Sequence, residues 1–80
     1  MDKELALHVI RTAFKSARTL EELLPLLRHH CQEEEAKIYE FAIASTIADI
    51  HRELTNRVFE SFPELQAEVE DKLERYGRVL

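Results

Sequence analysis

Residues 29–35 read His-His-Cys-Gln-Glu-Glu-Glu, a dense run of side chains that can bind a metal, attack an electrophile or carry a proton. Zinc takes three or four converging Cys, His or carboxylate ligands. On a helix the pairs His29/Glu33 and His30/Glu34 share a side, so the spacing permits such a site. Three features count against it. Adjacent histidines diverge by about 100° on a helix, Cys31 is the one cysteine of the chain, and the other histidines, His8 and His51, are remote in sequence. A Cys–His nucleophile would also need an orienting third group and an oxyanion hole, and one glycine gives little scope for a loop that aims backbone amides.

A helix junction accounts for the same residues. Arg28, His29 and His30 would close one helix, where the macrodipole favours cations, and Glu33, Glu34 and Glu35 would open the next, where it favours carboxylates. The junction is the reading adopted, with no catalytic residue, metal ligand or cofactor assigned. A metal-binding or metal-responsive protein using the His29–Cys31 region is kept as the alternative.

The elements around that junction follow from composition and periodicity. One Gly and two Pro in 80 residues leave little for tight turns, while Ala, Leu, Glu and Arg lose least on entering a helix, so the chain reads as all-α. With 45% apolar and 34% charged residues it can form amphipathic helices rather than remain disordered. Ala6, Val9, Ile10, Ala13, Phe14 and Ala17 mark one buried face of a first helix over 2–17. Thr19 and Glu22 have capping-box spacing for a second helix over 20–30, which Pro25 should shorten or kink.

Ala36, Tyr39, Ile43, Ile47, Ile50, Leu54 and Val58 step by three or four and predict one long helix over 32–60. Glu33/Lys37 and Glu53/Arg57 on it have the favourable i,i+4 order. Ser61 and Glu64 form a second capping box, with Pro63 in the first turn and Gly77 at the end of a last helix over 62–76. The fold expected is one domain over 1–80, a compact four-helix bundle with a long central third helix.

Across from the long stripe lies a second apolar patch, Phe41, Ala44 and Ala48. Small residues one turn apart admit another helix closely and Phe41 offers an anchor, so these three are the candidate interaction residues. Either another helix of the chain or a second copy could cover them, and a small helical protein gains a larger core by dimerising.

Net charge is −5. Residues 1–18 carry four cations against two carboxylates, +2, while residues 19–40 carry two against six, −4. With no Lys/Arg run in an acidic chain, nucleic acid is not the expected partner. No leader sequence, disulfide pair or membrane-length apolar run is visible, which points to the cytoplasm. The sequence also lacks the paired Glu-x-x-His of ferritin-like bundles, a phosphate-binding glycine loop and an EF-hand loop. The function expected is a non-enzymatic protein–protein interaction module or homodimer.

Overall fold

Asp2 starts the first helix: its carboxylate accepts the amide N–H of Leu5 at 2.8 Å, satisfying one of the donors a helix N-terminus leaves free. From there α1 runs over Lys3–Glu21 and buries Ala6, Ile10, Ala13 and Ala17, a face made mostly of the smallest apolar side chain. The computed structural model describes residues 1–79, and helix is the only regular structure among them.

The helix continues past its expected end at 17. Thr19 lies inside it and donates its hydroxyl to the Lys15 carbonyl at 2.9 Å, so the Thr19/Glu22 capping box does not form. What interrupts the rod is Pro25. It has no N–H for the Glu21 carbonyl and its ring crowds that turn, so the chain breaks at Glu22 and resumes as α2, Leu23–His30. Cys31 and Gln32, both extended, reverse the chain into α3, Glu33–Ile50.

The second rod is not a uniform α-helix. At His51–Thr55 it passes through a π-helical turn, in which the Asn56 N–H bonds the His51 carbonyl five residues back, before continuing as α4, Asn56–Ser61. One added residue retards the helix by about 100°. The inward face therefore moves from Ile43, Ile47 and Ile50 to His51, Thr55 and Val58. Thr55 is 3% exposed, while Leu54, which the four-residue stepping assigns to the buried stripe, is 47% exposed. Tyr39 also faces outward rather than into that stripe.

Phe62 breaks the rod, and α5 follows over Pro63–Tyr76 with Pro63 in its first turn. Ser61 ends α4 and no side chain caps α5, so the second capping box is absent as well. Gly77 closes α5 in the left-handed conformation, φ 71°, as its position predicts.

All-α is correct, but four separate helices in a compact bundle are not what forms. The chain makes three helical rods: α1 and α2 bent at Glu22, α3 and α4 joined through the π-turn, and α5. The radius of gyration is 14.8 Å, against about 12 Å for a compact chain of this length. One end holds the core, Ala6, Ile10, Val58, Leu65 and Val69, where α1, α4 and α5 meet. At the other end α2 packs mainly on α3, and none of its residues is fully buried.

Truncating Ile10 to Ala should cost about 2–5 kcal/mol in urea unfolding, because it is fully buried in this core. Leu54→Ala should cost less than about 1 kcal/mol, since it stands off the buried stripe. Equal losses would place Leu54 in the core and exclude the π-turn register.

Candidate functional site

The chemistry-bearing run at 29–35 is spread over the α2–α3 turn. His29 and His30 are exposed, their rings edge to face at 4.8 Å, and the three glutamates occupy the first turn of α3. Among the described residues, no three His, Cys, Asp or Glu side chains converge on a common point. Arg28 turns across to pair with Glu40 of α3, which ties the two helices together. Glu33 pairs with Lys37 at 3.2 Å and Glu53 with Arg57 at 2.9 Å, as their spacing predicts; exposed pairs of this kind contribute only a few tenths of a kcal/mol.

Cys31 is half-buried. Loss of solvent pushes its thiol above the usual cysteine range, and Glu35 adds to this by accepting the thiol hydrogen bond and repelling the thiolate. The thiolate is the nucleophilic and metal-ligating form, and this environment disfavours it.

Phe41, Ala44 and Ala48 sit on the outer side of α3, and the structure divides them. Ala44 and Ala48 line a shallow groove of about 350 Å³ together with Leu24, Ile43 and Ile47, with the carboxylates Glu21 and Glu40 at its sides. Phe41 stands beyond that groove, 76% exposed. No other helix of the chain covers it, so of the two covers the sequence allowed, the one within the chain does not form over Phe41.

A residue missing from the candidate patch is Ile38, 68% exposed and one turn before Phe41 on the same face. Its i,i+3 spacing from Phe41 is the sequence signal that could have included it. From Ile38 to Ala48 this face carries Phe41, Ala42, Ser45 and no charge, while ion pairs bound it at both ends: Glu33–Lys37 before it, Asp49–Arg52 after it. Among the described residues, no helix is long and apolar enough to cross a membrane.

Comparison with protein families, with curated proteins and with solved structures finds no match to this chain.

The thiol environment has a measurable consequence. Replacing Glu35 by Gln removes a charge that opposes the thiolate, so the Cys31 pKa should fall and its pH–rate profile for alkylation by iodoacetamide should move to lower pH. An unmoved profile would show that Glu35 does not act on Cys31.

Proposed function

We propose that this chain is a non-enzymatic, self-associating helical module whose partner is a second copy of itself, docked through the outer face of α3. The observation that carries this reading is the pairing of two large exposed apolar side chains, Ile38 and Phe41, with small ones, Ala44, Ser45 and Ala48, on one helix face that Glu40 borders beside Ala44. An antiparallel pair of α3 helices with its two-fold axis between Ala44 and Ser45 sets each Phe41 opposite the other copy's Ala48. A large side chain then meets a small one twice, as an isologous interface requires.

Area supports the same occupant. A stable interface takes about 800 Å² from each partner, roughly an eighth of this chain's 5958 Å². Besides the outer face of α3, α2 leaves Leu23 and Leu26 exposed as further apolar surface. Two such hairpins would form a second, larger core between copies, offsetting the thin packing at this end of each chain. The ion pairs at either end of the face supply a polar rim.

Light scattering at several concentrations tests this. The expected mass is twice 9.4 kDa, and Phe41→Asp should yield a monomer of unchanged helix content, because the side chain is exposed within one chain and an uncompensated charge in the interface costs several kcal/mol. A mass of one chain at every concentration would overturn the reading.

A further inference from the structure

Lys3, Arg28, Lys37, Arg52, Arg57, Lys72 and Arg75 pair with described carboxylate side chains, and Arg11 has an interaction of its own. Lys15, Arg18 and Arg78, together with Arg11, line one recess of about 170 Å³ with Phe14 and Val79, and no described carboxylate side chain lines it. In a chain with five more carboxylates than cations, that segregation is the least expected feature of its surface.

The fold builds this recess. Arg11, Lys15 and Arg18 recur at i, i+4 and i+7 on one face of α1. Gly77 turns the chain after α5, its carbonyl accepts from Arg18 Nη2 at 3.1 Å, and Val79 packs against the core cluster, so Arg78 is carried onto the same face. Phe14 is steadied from behind by the ring of His51, 4.8 Å away, whose Nδ1 shares a hydrogen bond of 2.9 Å with the buried Thr55 hydroxyl.

Two of the cations have explanations that do not involve a ligand or are not open to one alone: Arg18 binds Gly77, and Arg11 has an interaction of its own. Lys15 and Arg78 differ. Their side chains have no hydrogen-bond or ion-pair partner among the described residues, although they share the recess with other cations whose charge repels theirs. An anion relieves that repulsion. A guanidinium carries five N–H donors in a planar fork that suits phosphate, and Arg18 keeps donors beyond the one on Gly77.

We propose that this recess binds a phosphate monoester, its dianionic phosphate held by Lys15, Arg18 and Arg78 and its organic group lying on the apolar floor of Phe14 and Val79. The site is distinct from the α3 face and does not depend on self-association.

Titration of the intact chain, followed by amide chemical shifts, tests the proposal with phenyl phosphate and inorganic phosphate as probes. Phenyl phosphate should shift residues 11–18 and 77–79 saturably and bind more tightly than inorganic phosphate, because only the ester reaches the apolar floor. The double variant Lys15→Gln/Arg78→Gln should bind it at least about tenfold more weakly with an unchanged melting temperature, and Lys15→Arg should retain binding. No saturable shift at these residues, or equal affinity in the double variant, would overturn the site. Equal affinity for the two probes would overturn the ester in favour of free phosphate.

Discussion

Because the Asn56 amide bonds five residues back rather than four, the rod from Glu33 to Ser61 turns late by one residue, and everything packed on its far half depends on that delay. The turn rotates Val58 toward Ile10, Leu65 and Val69, where the main core forms. It also brings a threonine inside. A buried hydroxyl is tolerated only when bonded, and His51 supplies the partner across the same turn while resting against Phe14 of α1. Without the added residue, Leu54 would face inward and His51 would leave that ring.

The near half of the rod is organised by a different constraint. Pro25 breaks the first rod at Glu22, and α2 lies on α3 without a fully buried residue of its own, beside the open groove at Ala44 and Ala48. Arg28 and Glu40 hold that contact from its edge. The molecule thus has a three-helix end closed on itself and a two-helix end with apolar surface to spare.

Much of the local structure was legible because helix signals are local. The burial rhythm of Ala6, Ile10, Ala13 and Ala17, the position of Pro63 and the left-handed Gly77 all follow from neighbours within one or two turns. The capping boxes misled for a physical reason: Thr19 lies in a helix that continues through it and turns its hydroxyl back to that helix, and Ser61 is the last residue of α4 rather than the cap of α5. The π-turn was not legible, since an apolar residue at 54 fits uninterrupted stepping and only the packing of α4 against α1 and α5 favours Thr55. The basic recess was hidden too. Arg78 lies 60 or more residues from its α1 cations and is joined to them by the fold-back at Gly77.

The exposed packing of α2 has a consequence for the chain's internal motions. A segment without a fully buried residue loses little apolar contact when it detaches, whereas separating α1 from α4 and α5 breaks the only extensive buried cluster among the described residues. Opening free energy in such a molecule is graded along its 45 Å length. The hairpin end can fray and reclose many times for each global unfolding event, so proteolytic attack and amide exchange would begin around Glu22 and travel toward the core.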